Sequence, residues 1–203
     1  MNLAAVFSTE AYNAICEFLG ANWYALAGTL ILAAGVVVHL VYATVLTLHN
    51  RSSRGSQRYA MTAEPEGVTW ASRNMYVLGI IIVLGLLLHL YNFWYNMQFA
   101  EIIGNHELGP FPPADGAAYI AALFSSPVYC IIYLVWFAAI WFHLTHGFWS
   151  AFHTIGWDNQ TWLPRLKRIA NVVATIVFLC FALVVIVFYL RSLGVCGGSC
   201  AGF

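Results

Sequence analysis

The chain has 203 residues, of which 62% are hydrophobic and only 8% charged, and its formal net charge is zero. A soluble domain carries about 25% charged residues, so lipid is the solvent for most of this chain. A neutral balance excludes a polyanion such as nucleic acid as its partner. The opening residues, MNLAAVFSTEAYN, lack a basic stretch and a small-residue cleavage site, and they do not read as a signal peptide.

Residues 9 to 19 come first. Tyr12, Ile15, Cys16 and Leu19 recur at helical spacing behind Ser8, a residue type that caps helix starts. This segment is too short to cross a bilayer and predicts an amphipathic helix lying at the interface. Crossing about 30 Å of hydrocarbon takes about 20 helical residues. Four stretches meet that length, approximately 23–49, 75–98, 127–152 and 169–190. The predicted fold is therefore all-α: one integral-membrane bundle over residues 1–203, with four transmembrane helices and a short interfacial one.

Arg51, Arg54, Arg58 and Arg73 flank the connection between the first two spans, and Arg165, Lys167 and Arg168 lie between the last two. Seven of the eight basic residues thus share one side, which the positive-inside rule makes cytoplasmic. Glu101, Glu107 and Asp115 fall in the opposite loop, and both termini of the chain face outward with it. Trp23, Trp94 and Trp149 sit near span ends, as an aromatic belt requires. Of the five cysteines, Cys16, Cys130 and Cys180 are scattered, while Cys196 and Cys200 are spaced either for a disulfide or for a free pair.

Histidine is expensive in lipid, yet His39, His89, His143 and His146 lie well inside spans. His49 and His153 fall at span ends and His106 in the outer loop. At about 1.5 Å per residue, His39 lies ~16 Å and His143 ~15 Å from the cytoplasmic ends of their helices, whereas His89 lies ~25 Å away in the outer half. Two histidines at one depth on different helices can hold a flat metal macrocycle between them, haem b being the obvious one. Gly35 and Gly85 stand one turn before His39 and His89, and Gly147 one turn after His143. A small residue there leaves room for a porphyrin edge, although glycine also mediates plain helix contacts in membranes. His146 has two readings of equal weight: a hydrogen bond to a haem propionate or a neighbouring helix, or a structural role.

The stretches HLVYATVLTLHN, LHLYNFWYNM and WFHLTHGFWSAFHTIGW, the last followed by LPRLKRIAN, resemble a known family. They are similar to the cytochrome b (b558) membrane-anchor subunit of succinate:quinone oxidoreductases and quinol:fumarate reductases, in the single-subunit dihaem class. The resemblance runs over essentially the whole chain. It implies a multi-pass protein of the bacterial inner membrane that does not itself act on succinate. Instead it passes electrons between a flavoprotein and iron–sulfur subunit pair, docked on the basic side, and menaquinone. It implies that His39 and His143 ligate the proximal haem and that His89 is one ligand of the distal haem. Family members have five helices and carry the partner of His89 in the first, which implies a helix upstream of residue 1 and a start codon set too late. The resemblance also places a quinone site near the distal haem. Glu17 is the acid expected to exchange protons there, with Asn92 and Asn96 as wall residues. Some dihaem fumarate reductases carry a glutamate two residues before the proximal ligand, where this chain has Trp141.

Three other readings compete. A non-haem transporter or channel using intramembrane histidines needs charged partners at histidine depth, and the span interiors hold essentially none. A histidine-rich hydroxylase or desaturase needs clustered histidines near the cytosolic face, for which His49, His143, His146 and His153 are too spread in depth. Another dihaem cytochrome b, such as a nitrate reductase or hydrogenase anchor, is separated only by the family motifs.

Overall fold

The computed structural model describes residues 2–54, 69–157 and 159–195. Arg58, Cys196 and Cys200 lie outside the described residues. In chain order the elements are α1 (Ala4–Phe7), α2 (Thr9–Gly20), α3 (Trp23–Arg54), α4 (Trp70–Arg73), α5 (Met75–His89), a π-helical segment (Leu90–Phe99), α6 (Ala100–Ile103), α7 (Gly116–Phe124), α8 (Pro127–Thr154) and α9 (Trp162–Ser192). Every regular element among the described residues is helical, as expected. Four helical stretches are long and apolar enough to cross a membrane: Trp23–Ser53, Met75–Ile103, Pro127–Thr154 and Trp162–Ser192. Each contains a predicted span and runs beyond it.

Local chemistry sets the helix ends. The Ser8 hydroxyl accepts from the Ala11 N–H at 3.1 Å and starts α2 where the spacing predicted. Thr69 and Ser72 form a reciprocal capping box on α4. Pro127, with no N–H to lose, opens α8. Gly104 ends α6 at φ 66°, in the left-handed region that a side chain disfavours.

The tightest packing is the α8–α9 hairpin, with α5 laid against α8. In lipid, apolar side chains gain nothing by leaving water, so helices associate through close contact. The buried residues of α9 include Ala170, Ala174 and Ala182, small side chains at multiples of four that permit a close approach. The main core lies at the end of the bundle where the acidic residues are. There Tyr12, Ile120, Phe124, Tyr133, Trp136 and Phe188 cluster around Val185, which is 1% exposed. A small second cluster of Ala71, Leu78 and Ala139 forms at the basic end.

The segment counted as outer loop holds a helix of its own. Asp115 caps α7 by accepting from the Ala118 N–H at 3.2 Å, and it also accepts from Asn13 Nδ2 at 2.7 Å. The Asn13 amide oxygen takes the Ala117 N–H at 2.9 Å, so α2 is fastened across the start of α7. Arg191, at the end of α9, donates to the Val6 carbonyl at 2.7 Å and holds α1 down. By contrast, none of the most apolar stretch of α3 is buried. Among the described residues, its side chains reach the rest of the protein through a hydrogen bond from Thr29 to Gln98 at 3.1 Å and one histidine ring contact.

Candidate functional site

That ring contact is between His39 and His143. The imidazole centroids are 6.1 Å apart and nearly perpendicular, at 79°. Helices α3 and α8 run in the same sense, each ending at the basic side, and the two residues meet because they lie at one depth, as the residue count implied. His39 is exposed and His143 half-buried, and the Nδ1 atom of His143 is buried with no hydrogen-bond partner. Two imidazole nitrogens each about 2 Å from one metal place their ring centroids roughly 6 Å apart. The separation of the pair matches that spacing. The space beside it fits as well: a Cβ added at Gly35 would meet nothing within 4 Å, and one at Gly147 would make only ordinary contacts, 3.5 Å to Met75 Cε and 3.8 Å to His143 Cδ2.

His89 is differently placed. Its ring contacts are to Phe93 at 5.1 Å, Trp136 at 5.5 Å and Tyr133 at 6.3 Å. The glycine beside it does not leave room for a ligand edge. A Cβ at Gly85 would collide with the Trp136 indole, which fills the notch and donates from Nε1 to the Ile82 carbonyl at 3.0 Å. Gly85 is thus a seat for Trp136. The Nδ1 of His89, like that of His143, is buried without a partner.

His146 lies one turn along α8 from His143. Its ring meets Trp149 edge-on at 4.9 Å, and Lys167 Nζ stands 4.1 Å over the same indole. The His146 Nδ1 is also buried and unpartnered. Trp141 donates to Thr175 Oγ1 at 3.0 Å, which ties α8 to α9 at that level.

Two cavities meet at His89. One, of about 340 Å³, runs inward between α5, α8 and α9 past Tyr133, Trp136, Phe137 and Trp141. The other, of about 270 Å³, lies under α2 at the acidic end, with Tyr12, Cys16, Trp94, Gln98 and Glu101 on its wall. Asn2, Tyr12, His89, Phe93 and Met97 belong to both walls. Glu17 is on neither; it sits on the exposed face of α2. Asn92 lies behind the wall, donating to the Tyr133 hydroxyl at 3.2 Å, and Asn96 donates back to the Tyr91 and Asn92 carbonyls at 3.1 Å. Sequence reasoning missed Tyr12, Gln98 and Glu101 as wall residues.

Electrostatics at this end favour neutral groups. Burial pushes the Tyr12 phenol well above its ordinary value, and the neighbouring Cys16 adds to the shift. Burial likewise raises the Cys16 thiol. The Tyr119 hydroxyl, also raised chiefly by burial, donates to the Phe111 carbonyl at 2.7 Å and pins the loop ahead of α7.

At the basic end, Arg51, Arg165, Lys167 and Arg168 are exposed. Arg165 lies 5.3 Å over the Trp162 ring. Comparison of the chain with models of protein families, with curated proteins and with solved structures found no match.

Proposed function

We propose that this chain is a haem b-binding membrane anchor of a succinate:quinone oxidoreductase or quinol:fumarate reductase, exchanging electrons between an iron–sulfur partner and menaquinone. The observation that carries the reading is the His39–His143 pair, two imidazoles from separate helices at 6.1 Å. Among the described residues no three His, Cys, Asp or Glu side chains gather as a bare metal ion would require. A bare ion asks for about three or four protein ligands, whereas an iron already held in a macrocycle asks for two axial ones.

Haem b, when bound, supplies one-electron chemistry. The chain supplies position and surroundings. His39 and His143 present their rings from α3 and α8 at mid-depth. Gly35 and Gly147 keep side chains out of the adjoining space. His146, one turn away, offers a donor to a carboxylate, and the Lys167 ammonium next to Trp149 places positive charge nearby. His89 stands ~10 Å further along the helix axis, where Trp136 fills the space that a second group would need. By the positive-inside rule the loops carrying Arg51, Arg165, Lys167 and Arg168 face the cytoplasm, where they suit docking of the flavoprotein and iron–sulfur subunits.

The test is a reduced-minus-oxidised optical spectrum of the purified protein with haem quantitation. His39→Ala and His143→Ala should each remove one low-spin haem completely and leave any second one. A normal low-spin spectrum in both variants sinks the ligand assignment. Absence of haem from the assembled wild-type complex would favour a transporter using intramembrane histidines.

A further inference from the structure

We propose that Glu101 and His106 form a proton relay joining the 270 Å³ cavity under α2 to solvent at the acidic end. The proposal rests on the quinone-linked reading above and names the proton-exchanging group of that reaction.

Among the described residues, Glu101 is the one carboxylate on either cavity wall. Its side chain is held there by shape. It runs across the last turn of α2, where a Cβ on Gly20 would stand 3.3 Å from its Cγ. The helix then stops at Gly104, whose left-handed φ of 66° turns the chain back, with the Asn105 N–H closing on the Ala100 carbonyl at 3.0 Å. That reversal brings His106 Nδ1 to 3.8 Å from Glu101 Oε1. The Glu101 side chain is 28% exposed and that of His106 62%, so the pair steps outward from the cavity wall to water.

The other titratable groups nearby are poorly suited. Burial keeps Tyr12 and Cys16 in their protonated forms. Asp115 is committed to the α7 cap and to Asn13. Glu17 faces away from both cavities. Gln98, on the same wall as Glu101, uses its amide oxygen to accept from Thr29 and leaves its NH2 group as a donor to a ligand carbonyl.

Reduction of a quinone takes two electrons and two protons, one on each carbonyl oxygen. The electrons come from the succinate-oxidising partner. One proton comes directly from solvent water; for the other, the Glu101 O–H bond breaks as the quinol O–H bond forms. The resulting carboxylate regains a proton from the His106 imidazolium, which is recharged from water. Quinol oxidation runs the same transfers in reverse.

The experiment uses the assembled complex with a short-chain naphthoquinone. Glu101→Gln should lower kcat for succinate-driven quinone reduction at least tenfold, with KM within twofold and the haem spectrum unchanged. The redox-difference infrared spectrum should lose a carboxyl C=O band that shifts in D2O. His106→Gln should slow turnover about threefold and retain that band. Glu17→Gln should behave as wild type in both measurements. Turnover within twofold of wild type and a retained band in Glu101→Gln overturn the relay while leaving the haem-anchor reading intact. Should Glu101→Gln fail to assemble, unchanged turnover in a haem-replete His106→Gln complex overturns it instead. No haem and no quinone reduction in the wild-type complex overturn both.

Discussion

The two half-buried histidines, His143 and His89, differ in what surrounds the ring. At His143 the nearest ring from another helix is a second imidazole, and the glycine opposite it on α3 faces open space. At His89 the ring is enclosed by Phe93, Tyr133 and Trp136, and the adjoining glycine notch is taken by an indole. The same motif, a histidine with a glycine one turn away, thus serves two purposes. In one place it leaves space between helices, and in the other it lets a large aromatic side chain close the space. Packing density, more than residue type, separates the two imidazoles.

Substitutions that exchange these two conditions test the contrast. Trp136→Ala removes a side chain only 8% exposed and its bond to Ile82, and it leaves a void against His89. A loss of about 3–5 kcal/mol is expected, read as a lowered unfolding midpoint in detergent. Gly85→Ala forces a methyl into the Trp136 indole and should cost about 1–3 kcal/mol, whereas Gly35→Ala, in open space, should change stability by less than about 0.5 kcal/mol. Equal effects from the two alanines would erase the distinction. Asp115→Ala removes the α7 cap and frees Asn13, for an expected loss of about 0.5–2 kcal/mol. Protease nicking before α7 should rise with it. The smallest effect concerns Cys16. Only the thiolate reacts, and its ordinary pKa is about 8.5. Because burial raises the Cys16 value, maleimide labelling at pH 8 should be about tenfold slower in the folded protein than in detergent-unfolded chain, and should accelerate as pH rises further. Equal rates at pH 8 would place Cys16 in water.

The fold was legible because its signals are local and strong. Long apolar runs mark the four spans, and Ser8 with helically spaced Tyr12, Ile15, Cys16 and Leu19 marks α2. The meeting of His39 and His143 was legible too, since depth in a bilayer is a residue count. Helix α7 was not, because the Asp115–Gly116 start resembles loop sequence and nine residues are too few to register as a span. Gly85 could be read as ligand space or as a helix contact, and it is the contact, because a helical glycine reports that something approaches without saying what. Glu101 was out of reach for a different reason. It follows ten π-helical residues, and a π-helix turns at about 4.4 residues per turn against 3.6 for α. Over Leu90–Phe99 that difference rotates everything beyond by roughly half a turn, and no pattern in LYNFWYNMQF announces it. A helical projection drawn through His89 therefore places Glu101 on the wrong side.

The thin attachment of α3 has a consequence in time. Among the four spanning stretches, the tight packing lies within the stretch from α5 to α9, whereas the residue that His39 meets is made about a hundred positions later in the chain. At about 5–20 residues per second, synthesis reaches His143 roughly 5–20 s after His39. For that interval the earlier imidazole sits in the bilayer without the ring it will face, and α3 joins a bundle whose other spanning helices are made after it.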